Sequence, residues 1–269
     1  MSAFNVTRLS RHIGAEITGI DLRQLDADTV APIKSALNQH LMLVFRDQSL
    51  TADELYRLAS LFGEPAPYPF VDGIDGYPEI VQITKQPEET VNFGGVWHSD
   101  TTYLPTPAMG AMLYGLTIPE TGGDTLFSSM YAAYDKLSDG LKGFLKPLTA
   151  VNDADKAAIA ETRPGQPKKG LIAEHPVIRV HPETGRKLLY VNRAHTTRFS
   201  DMTEAESADL LEYLFELAAA EDITCRLQWQ PGSLAFWDNR ACQHFPLNDY
   251  QGQLRSMLRI SLAGDQPVS

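Results

Sequence analysis

Apolar residues recur at helical spacing between Asp28 and His40, where Val30, Ile33 and Leu37 share one face, and this predicts an amphipathic helix. Leu41–Phe45 follows as a continuous apolar run of strand length, suited to a buried strand. Thr51-Ala52-Asp53-Glu54 has the threonine-to-glutamate spacing of a capping box, so a second helix is predicted as far as Leu61. Phe62-Gly63-Glu64-Pro65 ends it, and Pro65, Pro67 and Pro69 punctuate an extended segment.

From Glu79 onward strand signals dominate. Glu79–Thr84, Met109–Leu116, Thr125–Phe127, Val177–His181 and Leu188–Val191 are short and separated by turn residues. Ile223–Gln230, Ser233–Trp237 and Leu254–Leu262 continue the pattern, which favours a β-sandwich or barrel. Helices are predicted at Tyr131–Leu137, Asp139–Leu145 and Thr203–Ala220, the last opened by its own capping box. Asn152–Gly170 is polar and ends in prolines, lysines and glycines; it reads as a mobile loop over a site. With no repeat and no linker, residues 1–269 are expected to form a single domain, mainly β with flanking helices.

Composition narrows the function classes. The chain is 43% hydrophobic, enough for one large core, and its net charge of −11 argues against a nucleic-acid partner, which needs a basic face. Two cysteines, Cys225 and Cys242, make no disulfide framework and no zinc-binding pair of cysteines. No apolar signal segment or bilayer-length run is visible, so no membrane association and a cytoplasmic location are expected.

The candidate chemistry lies in two stretches far apart, Trp97-His98-Ser99-Asp100 and Cys242-Gln243-His244-Phe245. Two imidazoles and one carboxylate cap one face of a ferrous ion and leave positions open for an organic acid and dioxygen. Residues two apart on an extended segment point to the same side, so His98 and Asp100 can reach one metal there. Taken alone, such a pair more often reads as a core histidine and a turn aspartate. Arg255 and Arg259 shift the balance, because they share a face of a strand flanked by Leu254, Met257, Leu258 and Ile260. A buried arginine needs an anion, and its planar fork suits the far carboxylate of 2-oxoglutarate. The competing class is a metal-dependent hydrolase or isomerase on a cupin-like barrel, which needs no such clamp.

Trp97-His98-Ser99-Asp100-Thr101-Thr102-Tyr103, Gly122-Gly123-Asp124-Thr125-Leu126-Phe127, His175-Pro176-Val177 with Gly185-Arg186-Lys187, and Trp237-Asp238-Asn239-Arg240 ahead of His244 resemble the taurine dioxygenase family. This branch of the Fe(II)/2-oxoglutarate oxygenases also holds phenoxyalkanoate herbicide dioxygenases and alkyl-sulfate dioxygenases. The resemblance runs from Leu41 to Gly264, with the motifs in order. It implies a double-stranded β-helix, or jelly roll of the clavaminate synthase-like type, with helices outside and frequent homo-oligomers. It further implies His98, Asp100 and His244 as iron ligands, Thr125 and Arg255 as the 2-oxoglutarate clamp, and Arg259 beside the substrate anion.

The substrate positions depart from the taurine-cleaving pattern. Where those members place a histidine, a tyrosine and an asparagine, this chain has Tyr68, Val71 and Gly94. Losing hydrogen-bonding partners removes discrimination for a compact zwitterion. Tyr68, Phe70, Val71, Phe93 and Met109 are therefore expected to line a roomier, more apolar pocket. The expected activity is hydroxylation of an unactivated C–H bond in a small organic acid with an apolar body, using Fe(II), 2-oxoglutarate and dioxygen and releasing succinate and CO2. His175 and His181 are expected to be structural, Trp97 to pack the site against the core, and Asp238 and Asn239 to form a supporting turn.

Overall fold

The computed structural model describes residues 4–156 and 170–269. The chain begins with β1 (Asn5–Arg8), β2 (Ala15–Thr18), α1 (Ala27–His40), β3 (Met42–Phe45), α2 (Ala52–Ser60), β4 (Pro65–Ala66) and β5 (Ile80–Lys85). Next come β6 (Gly110–Thr117), β7 (Thr125–Ser129), α3 (Met130–Lys136), α4 (Asp139–Leu145), β8 (Thr149–Asp153), β9 (Ile172–Pro176), β10 (Ile178–Val180) and β11 (Lys187–Leu189). The rest is β12 (Thr196–Phe199), α5 (Glu204–Ala218), β13 (Thr224–Leu227), β14 (Leu234–Asp238), β15 (Cys242–Pro246) and β16 (Arg255–Leu262).

The large sheet runs β1-β2-β3-β14-β6-β16-β4, with β5 also paired to β16. Its strands pair antiparallel apart from β2 and β3. Period-two alternation gives it two apolar faces. Leu234 and Phe236 of β14, with Leu258, Ile260 and Leu262 of β16, pack outward against Ile33 and Leu37 of α1 and Leu55 and Leu58 of α2. Ala235, Trp237 and Met257 face inward and meet Phe127, Cys225, Leu227 and Cys242 of a smaller sheet, β13-β7-β15. Helices α3 and α5 close this inner core from behind through Met130, Tyr131, Leu211, Leu214 and Phe215. The expected jelly roll with helices outside is the architecture found. Among the described residues, no helix is long and apolar enough to cross a membrane.

Both capping boxes form, at Thr51/Glu54 and Thr203/Glu206, each side chain bonding the other's backbone N–H. Leu41 is not the first strand residue but the left-handed cap of α1, at φ 64. The chain must reverse from helix into buried strand there, and full burial of the Leu41 side chain offsets the backbone strain. The expected loop at 152–170 has different boundaries. Asn152 and Asp153 end β8, which pairs with β9, and Gly170 N donates to Asp155 Oδ2 at 2.8 Å. Its central residues, 157–169, lie outside the described residues.

Gly110 sits where β6 passes between β14 and β16, and a Cβ there would lie 2.6 Å from the Trp237 carbonyl oxygen. Gly110→Ala is expected to destabilise the fold by about 1–3 kcal/mol, seen as a lower urea midpoint. An unchanged midpoint would mean the two strands separate without cost.

Candidate metal centre

His98 and His244 are joined by backbone. His98 N donates to His244 O at 3.1 Å and His244 N to His98 O at 2.9 Å, an isolated antiparallel bridge alongside β15. Two residues directly opposite across such a pair present side chains on one face, and the ring centroids are 4.1 Å apart. Asp100 does not continue an extended segment as expected. It opens a turn in which Thr101 takes φ 54, yet its carboxylate still converges on the imidazoles. Asp100 Oδ1 lies 3.7 Å from His98 Nε2 and 4.0 Å from His244 Nε2. All three ligand atoms fall within 4.8 Å of one another, and all three residues are buried. Among the described residues this is the single cluster of its kind.

The turn is held from β14's end. Asn239, fully buried, accepts from Asp100 N at 2.6 Å and donates to Asp100 O and Ala108 O, both at 2.9 Å. Thr101 Oγ1 accepts from Ala108 N. These bonds outweigh the strain at a non-glycine residue in the left-handed region.

Tautomer follows from partners. His98 Nδ1 lies 2.6 Å from Val96 O, and a carbonyl only accepts, so Nδ1 carries the proton and Nε2 offers its lone pair to the cavity. Gly94, at φ 74, allows this approach: a Cβ there would meet His98 Cε1 at 3.1 Å. Burial pushes the pKa of His244 well below the usual value, with His98 and Arg259 adding to that, so its imidazole is the neutral form that ligates metals. Burial opposes ionisation of Asp100, but the Arg259 guanidinium beside it holds its carboxyl below the usual range. Two neutral nitrogens and one carboxylate oxygen facing a common space fit a ferrous ion with open positions.

That space runs from Arg255 and Thr125 at one end to Arg259, Phe93 and Gly94 at the other. Ile83, Leu113, Phe127, Trp237 and Pro246 make its walls largely apolar. Arg255 and Arg259 share the inner face of β16, opposite Lys85 and Val81 of β5. Arg255 Nε and Nη2 have no hydrogen-bond partner in the protein, and nearby Asp124 is engaged by Arg226 at 2.6 Å. A buried guanidinium with free donors and no carboxylate contact is a fitting seat for an organic anion. Arg259 Nη2 lies 2.7 Å from Asp100 Oδ1, so this arginine serves the triad as well as the cavity.

Tyr68 places its ring 5.3 Å from the Arg259 guanidinium and 5.9 Å from Phe93. Phe70 and Val71 stand behind it with Tyr103. The expectation for Met109 is corrected: it packs on the outer core beside Gly63, because the sheet alternation turns it away from the cavity. Trp97 is corrected too, lying half-buried with its ring tilted against Phe245 at 5.7 Å rather than in the core. His175 and His181 are structural as expected. Unforeseen by sequence reasoning were Phe127 and Trp237 in the cavity wall and Trp229 bonded to Thr125. Local pattern marks these aromatics only as core.

His181 Nε2 donates to Asp238 Oδ2 at 2.9 Å, and Arg240 grips the same carboxylate through Nε and Nη2. Burial raises the pKa of Asp238, but the bonds from Arg240 and His181 win and lower it to about 2. A folded-state value below the unfolded one, near 4, gives stability that is complete above about pH 4 and lost as pH falls toward 2. Asp238→Asn should therefore flatten the acid-unfolding profile between pH 4 and 2 in circular dichroism. A slope matching the parent would place control of that window elsewhere.

The family model described as taurine catabolism dioxygenase TauD, TfdA family matches residues 5–261. A relative in Acinetobacter baylyi named alkylsulfatase is 38% identical over 96% of this chain and 84% of its own length. An alpha-ketoglutarate-dependent sulfate ester dioxygenase of Pseudomonas putida is 33% identical over 98% of this chain and 91% of its own. The solved structure of a taurine dioxygenase from Burkholderia xenovorans aligns with a TM-score of 0.86 at 37% identity, covering 99% of this chain and 91% of that one. The hydrolase or isomerase alternative falls away. The chain belongs to the TauD/TfdA family and is an Fe(II)- and 2-oxoglutarate-dependent dioxygenase.

Proposed function

We propose that His98, Asp100 and His244 hold the Fe(II), that Thr125 and Arg255 hold the distal carboxylate of 2-oxoglutarate, and that the substrate is an organic sulfate ester with an apolar body. The observation that carries this reading is a cavity joining His98 and His244 of the buried triad to two arginines at opposite ends, with apolar walls between them. Its occupants must bring negative charge to the Arg255 end and carbon to the middle, while Arg259 keeps a free Nε for an anion at the other end. The similarity to an alkylsulfatase and to a sulfate ester dioxygenase supports a sulfate as the substrate's anion.

When bound, the iron and 2-oxoglutarate supply dioxygen activation, coupling decarboxylation of the keto acid to oxidation of a C–H bond. The chain's own residues bind, orient and exclude water. Arg255 and Thr125 fix 2-oxoglutarate at the β7 and β16 end. Arg259, braced by Asp100 and covered by the Tyr68 ring, offers its unpartnered Nε to the sulfate. Ile83, Leu113 and Phe93 keep the alkyl body dry and in place. Hydroxylation of the carbon bearing the ester oxygen leaves an unstable product that splits into an aldehyde and inorganic sulfate, with succinate and CO2 released alongside.

A medium-chain alkyl sulfate is expected to stimulate succinate formation with equimolar sulfate release, and taurine to give at least about tenfold less, the scale of lost polar contacts in a site. Taurine as the better substrate, or no response to any sulfate ester, would overturn the substrate assignment. Asp100→Ala is expected to abolish substrate-coupled succinate release and the visible band that Fe(II) and 2-oxoglutarate give without oxygen. Undiminished colour and turnover would remove Asp100 from the ligand set.

A further inference from the structure

We propose that Trp229 is a positioning residue for 2-oxoglutarate, acting through Thr125; this rests on the assignment of Thr125 and Arg255 to the distal carboxylate. Trp229 lies just beyond β13, buried, and its Nε1 donates to Thr125 Oγ1 at 2.9 Å, across 104 positions of sequence. A threonine hydroxyl has one proton and two lone pairs. The indole N–H donates and never accepts, so it claims a lone pair and turns the hydroxyl proton elsewhere. Among the described residues no protein acceptor takes that proton, while Thr125 lines the cavity beside Arg255. The proton is thus presented where a carboxylate oxygen would sit.

The same indole ring lies 5.8 Å from the Arg255 guanidinium, and the Tyr250 ring lies 5.9 Å from it. Gly123 leaves room for the arginine stem, since a Cβ there would meet Arg255 Cδ at 3.3 Å. Trp229 therefore touches both members of the clamp without lining the cavity itself. Filling space in the core would need only a ring of similar size. Directing the Thr125 hydroxyl needs the N–H.

Trp229→Phe keeps a ring and deletes the donor. With Mn(II)-loaded enzyme under nitrogen, it is expected to weaken binding of 2-oxoglutarate about tenfold, the scale of one hydrogen bond to a charged partner. Binding of 2-oxobutanoate, which has the keto acid but no distal carboxylate, should not change. Nor should kcat at saturating 2-oxoglutarate. Thr125→Val should match the loss, and the double variant should lose no more than Thr125→Val alone. Equal weakening of both keto acids, or additive losses, would overturn the proposal and leave a packing role.

If Thr125→Val leaves 2-oxoglutarate binding unchanged, the clamp assignment itself fails and takes the proposal with it. If Thr125→Val weakens binding while Trp229→Phe does not, the clamp stands and only the role of Trp229 is lost. The unaltered protein gives an independent check, since it has three tryptophans and hence three indole N–H signals. The Trp229 signal should shift on adding 2-oxoglutarate and stay put with 2-oxobutanoate. A signal that ignores both, or responds equally to both, counts against the proposal.

Discussion

Two backbone hydrogen bonds between His98 and His244 set the geometry on which the rest of the site depends. They fasten a segment that belongs to no regular strand onto the middle of β15, and they do so at the two residues whose side chains must meet. An antiparallel pair of this kind leaves little freedom in the separation of opposite side chains. Asp100 then needs only to be held two residues later, at the start of a turn that Asn239 keeps in place. The metal-binding geometry thus arises from strand pairing and one buried amide rather than from the ligand side chains themselves.

Charge is distributed along the cavity in a way that burial makes consequential. Asp100, Arg255 and Arg259 are each more than nine-tenths buried, where an uncompensated charge is strongly unfavourable. Arg259 and Asp100 compensate one another directly at 2.7 Å. Arg255 has aromatic neighbours but no carboxylate contact, so its compensation must come from what binds. Specificity for an anion at that end follows from the cost of leaving the guanidinium alone, as much as from any attraction in the complex. The asymmetry between the two arginines, one already paired and one not, also separates their roles along a single strand.

The fold was legible where one residue's neighbours in sequence carried the pattern. The apolar runs of β3, β14 and β16, the two capping boxes and the helices α3 and α4 were all visible in local periodicity. Strands β8, β9, β12 and β15 were not. Cys242-Gln243-His244-Phe245-Pro246 lacks clean alternation and ends in proline, and Asn152 and Asp153 at the end of β8 looked like the start of a polar loop. Those strands exist because partners elsewhere satisfy their backbone groups, and partners leave no trace in a short window of sequence.

The residue types in the chain settled the chemistry: two histidines and an aspartate can cap a ferrous ion, and a strand bearing two arginines among apolar residues calls for anions. Period-two alternation also placed both arginines on one face of β16. Tertiary structure alone decided which nitrogen of His98 is free, that Arg259 braces Asp100, that Met109 turns away from the cavity, and that Trp229 reaches Thr125. Each of those depends on a contact between residues distant in sequence. Ligand identity is a property of single side chains and survives in a linear text, whereas protonation, orientation and partnership belong to pairs that only folding brings within a few ångströms.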